Sequence, residues 1–285
     1  MSFDIAAVIV AFNKPDFLEK CIRSIQEQSY PVKNIYIIDN SHDDSVGALI
    51  KANYPDCHYT HFPKNIGSEG GFSEGVRQAY STHDAVWLFD DDCFVHPDAC
   101  DELVSWMNQI QRTETRVAAL RSARPWDISN TEDYREIKDL YAWKGSFILT
   151  AAVREIGLPW KELFLYGGDI EYGLRLRSNK MKIFLVYSSH IDSVEYTDEL
   201  ELHFGILKKS IYNSPFRVYY AFRNELCLYI KYFHISRLIR LTLYGLTTFV
   251  MASLGGHNKH ASAIYHGFKD GLFRKLGKSS RFSPK

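Results

Sequence analysis

The chain has 285 residues, 46% of them hydrophobic and 24% charged, which is enough apolar material for one large folded domain with an extension. Its 34 basic and 34 acidic residues cancel, which argues against a protein that binds nucleic acid through a net positive field. Five cysteines without a CxxC pair argue against a disulfide framework and a zinc site, and they favour a reducing compartment.

The amino-terminal segment MSFDIAAVIVAFNKPDF has an acidic residue before its apolar run and lacks a small-residue cleavage site. This pattern is typical of a first strand and not of a signal peptide, so we expect a cytoplasmic protein.

Predicted strands and helices then alternate along the chain, and each predicted strand is a nearly continuous apolar run. The predicted strands are Ile5–Phe12, Asn34–Asp39, Cys57–Phe62, Ala85–Phe89, Val117–Arg121, Gly145–Leu149 and Lys182–Tyr187. The predicted helices are Pro15–Gln28, Phe72–Ser81 and Pro97–Gln111. This order predicts an α/β fold with a mostly parallel sheet covered by helices on both faces.

The carboxyl-terminal region becomes aromatic and basic from about Phe216, and its pattern is helical. We therefore predict a first domain over residues 1–215 and a helical region over residues 216–285. The longest apolar run, Leu241–Leu254, is shorter than the ~20 residues of a membrane-spanning helix. A core helix, an oligomer or partner surface, and a helix lying in the membrane interface all remain compatible with it.

Three acidic residues, Asp90, Asp91 and Asp92, follow the strand predicted at Ala85–Phe89. Ligands of open α/β sheets bind beyond the carboxyl ends of the strands. Carboxylates this close repel one another unless a cation lies among them, and their hard oxygens suit Mg²⁺ or Mn²⁺. A solvated acidic turn, or a cap for the helix that begins near Pro97, is the structural alternative.

A glycine-rich stretch, NIGSEGGFSEG, begins at Asn65 and precedes a predicted helix. We expect a tight turn over Asn65–Gly71, in which backbone N–H groups approach a ligand closely. A simple turn is equally compatible with such a loop.

Further acidic residues follow an aromatic run in the segment GGDIEYGLR. Asp169 at the start of this helical pattern is by itself more often a cap than a catalytic group. Glu171 and Arg175 have the spacing of an i, i+4 ion pair, which is usually structural. His190, after the strand Lys182–Tyr187, is usually structural as well, and becomes a candidate ligand only beside a metal site.

Together, VIVAFNKPDF, LFDDDCF and GDIEYGLR resemble the family 2 glycosyltransferases of the nucleotide-diphospho-sugar (GT-A) fold, over roughly residues 3–225. The resemblance implies Asp169 as the general base and a Mn²⁺ or Mg²⁺ ion held by Asp90, Asp92 and His190. The implied donor-binding residues are Ala11, Asn13, Asp39, Asn65, Gly67, Gly70, Gly71, Asp90 and Asp91. The implied acceptor-side residues are Trp143, Gly145, Gly168 and Glu171, although Trp143 is equally compatible with a core tryptophan.

Within that family, NIGSEGGFSEG and the triplet DDD most resemble bacterial galactofuranosyltransferases, whose usual glycine motif is NxGGxGGFxxG. The chain departs from the pattern at Ser68, where a glycine is common, and at Gly168, where a second aspartate often precedes the base. The resemblance implies inverting transfer from UDP-galactofuranose to a lipid-linked glycan in O-antigen or capsule synthesis, at the cytoplasmic face of the inner membrane. Rhamnosyltransferases that use dTDP-rhamnose share most of these features.

Two other classes of protein share part of the pattern. A nucleotidyltransferase would also need acidic residues and magnesium, but we would expect a basic, glycine-rich signature after the first strand, where this chain has AFNKPDF. A non-catalytic scaffold that binds glycans or nucleotide sugars is excluded only by turnover.

Overall fold

The computed structural model describes residues 2–127, 129, 131–194, 198–205 and 207–283. The strands in these residues are β1 (Ile5–Ala11), β2 (Asn34–Asp39), β3 (His58–His61), β4 (Ala85–Asp90), β5 (Cys93–Val95), β6 (Val117–Ala123), β7 (Tyr134–Ile137), β8 (Ser146–Leu149), β9 (Lys182–Ser193), β10 (Glu199–Phe204) and β11 (Leu207–Tyr212). The helices are α1 (Pro15–Gln26), α2 (Ser45–Asn53), α3 (Gly67–Ala79), α4 (Ala99–Thr113), α5 (Thr150–Ile156), α6 (Gly168–Ser178), α7 (Pro215–Lys231), α8 (Ile235–Leu254) and α9 (Asn258–Leu272).

The described residues divide into two compact units, one comprising Met1–Trp160 with Asp169–Val194 and the other Lys161–Gly168 with Glu195–Lys285. The first unit contains a sheet with the strand order β3-β2-β1-β4-β8-β6-β9-β5, and β7 also pairs with β9. Strands β3, β2, β1 and β4 are mutually parallel, whereas β8 runs antiparallel between β4 and β6. The predicted α/β fold with a mostly parallel sheet is confirmed.

The central strands form because their residues can be buried on both faces. Every residue of β1, IAAVIVA, is buried, and the two faces of the sheet carry separate apolar clusters. Helix α1 buries Leu18, Cys21, Ile22 and Ile25 at helical spacing, while Pro15 opens its first turn.

The turn predicted over Asn65–Gly71 is wrong, because α3 already begins at Gly67 and contains Gly70 and Gly71. Gly67 has a φ of +81° and makes the actual change of direction. A Cβ on Gly71 would lie 2.7 Å from Val10 Cγ1, so this glycine lets the helix lie directly on the sheet. The glycines therefore serve close packing more than loop geometry.

The strand predicted at Lys182–Tyr187 continues as β9 to Ser193, so that His190 lies inside a strand and not after one. The extension exists because its end pairs antiparallel with β5, a short strand that the apolar pattern did not predict.

The second unit contains the antiparallel hairpin β10–β11 and the helices α7, α8 and α9. Arg223 and Asn224 of α7 are buried, and their side chains donate hydrogen bonds to the carbonyl oxygen of Leu163 at 2.6 and 3.0 Å. Asn224 also donates to Leu165 and Tyr166. These bonds attach Lys161–Gly168 to the helices of this unit. None of the helices in the described ranges has the length and apolar content needed to cross a bilayer.

Candidate active site

The carboxyl ends of β1, β2 and β4 meet at one edge of the sheet. Ala11 lies opposite Asp39 in the register of β1 with β2, and Val10 lies opposite Asp90 in the register of β1 with β4. The chain leaves β1 for β2 on one side and returns to β4 on the other, which makes this edge the topological switch point of the sheet. Ligands of α/β sheets bind at such points.

Polar groups at the ends of two neighbouring strands form a hydrogen-bonded cluster at this edge, the Asp39 cluster, which consists of Asn13, Asp39, Ser41 and Tyr59. Asp39 is fully buried, and its carboxylate accepts hydrogen bonds from the Tyr59 hydroxyl at 2.7 Å and the Ser41 N–H at 2.8 Å. Asn13 has a left-handed φ of +57°, and its N–H donates to Ser41 Oγ at 2.8 Å. The structure therefore brings together Ala11, Asn13 and Asp39, three of the residues predicted to bind the donor.

The segment before α3 is fixed to the same edge by two asparagines. The Asn40 side chain accepts a hydrogen bond from the Ile66 N–H at 3.2 Å and donates one to the Gly67 carbonyl at 3.1 Å. The Gly67 N–H donates to Asn65 Oδ1 at 2.7 Å. Asn65 and Gly67 are thus held at the edge that carries the Asp39 cluster.

The three consecutive aspartates occupy different environments. Asp91 is buried and accepts a hydrogen bond from the Phe12 N–H at 2.7 Å, and burial raises its pKa to about 7. Burial, together with the charge of Asp92, raises the pKa of Asp90 to about 6. Asp92 is partly exposed and forms an ion pair with Lys14, with 2.9 Å between Lys14 Nζ and Asp92 Oδ2. Asp90 and Asp92 face the site, whereas Asp91 ties β4 to the end of β1.

Asp90 and Asp92 suit a hard divalent cation. Ligand atoms of Asp90, Asp92 and Cys93 all lie within 4.8 Å of one another, and they are the one group with this property among the described residues. Burial raises the pKa of the Cys93 thiol well above its usual value, so the sulfur stays protonated and is a poor ligand for Mg²⁺ or Mn²⁺. The two carboxylates therefore fit the ion and the thiol does not.

His190 lies in β9, apart from that group. Its side chain is exposed, and its ring centroid is 5.3 Å from that of His96. His96 in turn places Nε2 3.1 Å from Asp192 Oδ2. These side chains line a cavity of about 270 Å³ together with Arg124. His190 as a metal ligand stays a prediction that this arrangement does not support.

Asp169 occupies the first turn of α6 and is partly exposed. Burial raises its pKa, and the backbone N–H groups of Ile170 and Asp169 itself oppose that rise. After the effects of burial and of Asp92, the charge of Asp169 also contributes to the raised pKa of Asp90. The predicted base and the predicted metal ligand therefore lie in one electrostatic environment.

The residues predicted on the acceptor side are mostly buried. Trp143 is 5% exposed, and its indole N–H donates to the buried Glu69 carboxylate at 2.8 Å, which supports the core alternative. Glu171 is buried and pairs with Arg175 at 2.8 Å, as the i, i+4 spacing predicted. Gly145 has a φ of +77° and bonds to Leu88 and Ser122 of neighbouring strands, and Gly168 is buried at the start of α6. An acceptor role for these four residues stays a prediction.

Residues 6–130 match the family model described as Glycosyl transferase family 2. This part of the chain is similar to the family 2 glycosyltransferases. The matched residues include Ala11, Asp39 and the aspartates at the end of β4, whereas Asp169 and His190 lie beyond the match.

Curated relatives of this chain include two galactofuranosyltransferases named GlfT1. The protein from Mycolicibacterium smegmatis is 22% identical over 195 residues, covering 60% of this chain and 65% of its own length. The one from Mycobacterium tuberculosis is 27% identical over 198 residues, covering 62% of this chain and 65% of its own length. The matched region thus spans slightly less than two thirds of these relatives. The predicted resemblance to family 2 glycosyltransferases, and to galactofuranosyltransferases among them, is confirmed.

Solved structures support the predicted GT-A fold. GalNAc-T7, crystallised with UDP, GalNAc and Mn²⁺, superposes with a TM-score of 0.57 at 15% identity over 69% of this chain and 44% of its own. The Staphylococcus aureus protein TarS 1-349, in complex with UDP, gives 0.55 at 12% identity over 79% of this chain and 65% of its own.

Two lysines of the candidate site were missed by the sequence-based prediction. Lys14 pairs with Asp92, and Lys144, whose charge lowers the pKa of Asp90, donates to Ser193 Oγ at 2.7 Å. The available signal was position, since Lys14 follows Asn13 directly and Lys144 follows Trp143. Both place positive charge beside the carboxylates.

Proposed function

We propose that the chain is an inverting, metal-dependent glycosyltransferase that transfers galactofuranose from UDP-galactofuranose to a lipid-linked glycan of a cell-surface polysaccharide. The observation that carries the proposal is the set of carboxylates at this edge of the first unit: Asp39 and Asp90 end strands on either side of β1, Asp92 lies beside Asp90, and the charge of Asp169 acts on Asp90. The name of the curated relatives, galactofuranosyltransferase, supports this choice of donor sugar.

The reaction places specific demands on the side chains at this site. Displacement at the anomeric carbon builds positive charge on the sugar and negative charge on the departing diphosphate. The acceptor hydroxyl loses its proton as it attacks, and Asp169 accepts it in this proposal. Such general-base catalysis contributes roughly 10²–10⁴ in rate. Direct attack from the face opposite the leaving group inverts the anomeric centre.

Asp90 and Asp92 hold the divalent ion in this proposal, because their oxygens are close together and face the site. When bound, Mn²⁺ or Mg²⁺ neutralises charge on the leaving diphosphate. Lys14 pairs with Asp92, so its positive charge lies beside the proposed ion site. In this proposal Asp39, held in place by hydrogen bonds from Tyr59 and Ser41, contacts the nucleotide base.

If the acceptor is attached to a lipid, the enzyme acts at the cytoplasmic face of the inner membrane. The proposal is also compatible with a homo-oligomer. The same site geometry also suits dTDP-rhamnose, since the Asp39 cluster is proposed to contact the nucleotide and not the sugar. A scaffold that binds nucleotide sugars without turnover would use the same residues. The donor therefore has to be tested directly.

Thermal unfolding with UDP or dTDP, each with and without Mn²⁺, tests the donor site. A nucleotide at 100 times its Kd should stabilise the protein by about 2.7 kcal/mol. We expect Mn²⁺-dependent stabilisation by UDP, and its loss in Asp92→Ala. A preference for dTDP would replace galactofuranose with rhamnose in the proposal. The absence of a response to either nucleotide would contradict the donor site itself.

A further inference from the structure

Exposed apolar side chains lie along one face of α8. They are spaced four, four, three, four and four residues apart, which places them in a single stripe along the helix, and their exposed fractions range from 44% to 65%. The apolar stripe consists of Ile235, Ile239, Leu243, Leu246, Val250 and Leu254. The opposite face of α8 is buried and includes Leu241, Gly245, Met251 and Ala252. The helix is therefore apolar on two sides, and the part of the chain that the structure describes covers only one of them.

Apolar surface continues from the stripe onto α9. A cavity of about 280 Å³ lies between the two helices, lined by Leu246, Phe249, Ile264 and Phe268 among others. A second cavity, of about 460 Å³, is bordered by Leu272 and Phe273 at the end of α9. Leu272 and Phe273 are themselves 60% and 65% exposed. A continuous apolar face on the surface of a folded protein marks an interaction site.

The helical segment that carries this apolar face is strongly basic. Residues 215–283 contain eleven lysines and arginines and two acidic residues, a formal net charge of +9 in a chain whose total is zero. The unit that contains the candidate active site has the opposite net charge, with 19 basic and 27 acidic residues. The exposed cations of the helical segment are Lys231, Arg240, Lys259, Lys269, Arg274, Lys275, Lys278 and Arg281.

We propose that the face formed by the apolar stripe of α8 and the end of α9 docks on the surface of an anionic lipid bilayer. Helix α8 is 20 residues, about 30 Å, long and lies in the plane of the interface, with its stripe at the boundary between headgroups and acyl chains. Lysine and arginine side chains around the face reach the anionic headgroups.

Charge separates this occupant from a second copy of the chain. Two copies joined through this face would bring segments of +9 each together, which is unfavourable, whereas an anionic bilayer complements both the charge and the apolar stripe. The inference concerns binding and stands apart from the proposed reaction. If the acceptor is lipid-linked, docking holds enzyme and acceptor on one surface.

Co-sedimentation of the full chain with vesicles tests the docking. We expect binding to vesicles that contain phosphatidylglycerol, weakening as salt increases, and little binding to pure phosphatidylcholine. The double variant Leu243→Ser, Leu246→Ser should bind the anionic vesicles about tenfold more weakly or worse, because it removes apolar surface from the centre of the stripe.

A conservative double variant provides a matched control. Leu243→Met with Leu246→Met keeps apolar side chains at the same exposed positions of α8 and should leave vesicle binding unchanged. Both double variants should keep the thermal unfolding temperature and the nucleotide response of the wild type, which separates this test from that of the proposed function. Wild-type vesicle binding in the stripe variant would overturn the proposal. The proposal would also be overturned if the wild type does not bind vesicles and forms a dimer that the stripe variant dissociates.

Discussion

Asp91→Asn should stabilise the protein above neutral pH, even though it alters one of the aspartates at the site. Burial raises the pKa of Asp91 from 3.8 to about 7. A raised pKa means that the folded state binds the proton more tightly than the unfolded state, so the associated stability is present at low pH and is lost as pH rises through 7. At pH 8 the buried carboxylate is charged and opposes folding.

The expected size follows from that shift. About three pKa units correspond to roughly 4 kcal/mol of unfolding free energy, which the neutral amide recovers at pH 8. Asparagine keeps an oxygen that accepts the Phe12 N–H, so the bond at 2.7 Å survives the change. The gain should disappear below pH 4, where the aspartate is protonated in both states.

Urea denaturation of wild type and variant across this pH range, with chelator present, provides the measurement. The exposed residue Asp56 supplies the control, since Asp56→Asn should change stability by less than about 0.5 kcal/mol at every pH. A destabilised Asp91→Asn at pH 8, or a gain that does not vary with pH, would refute the burial argument.

Three further substitutions test the site and its support. Asp169→Asn should lower turnover by roughly 10²–10⁴ while nucleotide-induced thermal stabilisation persists, and normal turnover would remove Asp169 from the role of base. Trp143→Phe removes the 2.8 Å hydrogen bond from the indole N–H to the buried Glu69 carboxylate and should cost about 1–3 kcal/mol in urea denaturation; an unchanged stability would show that this bond does not stabilise the fold. Gly75→Ala places a Cβ 2.2 Å from Val8 Cγ1 and should cost about 1–3 kcal/mol, unless α3 can move away from the sheet.

The parts of the fold that were predictable from sequence are those in which burial alone decides the structure. Strands β1, β2 and β4 are apolar runs buried on both faces, so the pattern located them within one or two residues. Strand β7 and the hairpin β10–β11 are largely exposed, and their polar sequences carry no such signal. The early start of α3 was missed because glycines predict turns, whereas here they permit contact between helix and sheet.

The candidate site was predictable where its residues follow a strand directly. Asp39 and Asp90 fall at strand ends, and the parallel register brings those ends together. Pairings between distant residues were not predictable, such as the bond from Trp143 to Glu69 or the ion pair of Lys14 with Asp92. These contacts depend on how loops return to the sheet, which local patterns do not encode.

Sugar transfer itself is the most direct test of the central proposal. The purified chain would be incubated with UDP-galactofuranose, Mn²⁺ and a panel of lipid-linked glycan acceptors, and UDP release and the glycan product would be followed together. We predict UDP release coupled to an acceptor that gains one galactofuranose with inverted anomeric configuration, and loss of both signals in Asp169→Asn. Nucleotide binding without transfer from UDP-galactofuranose or dTDP-rhamnose to any acceptor would contradict the account and support a non-catalytic scaffold.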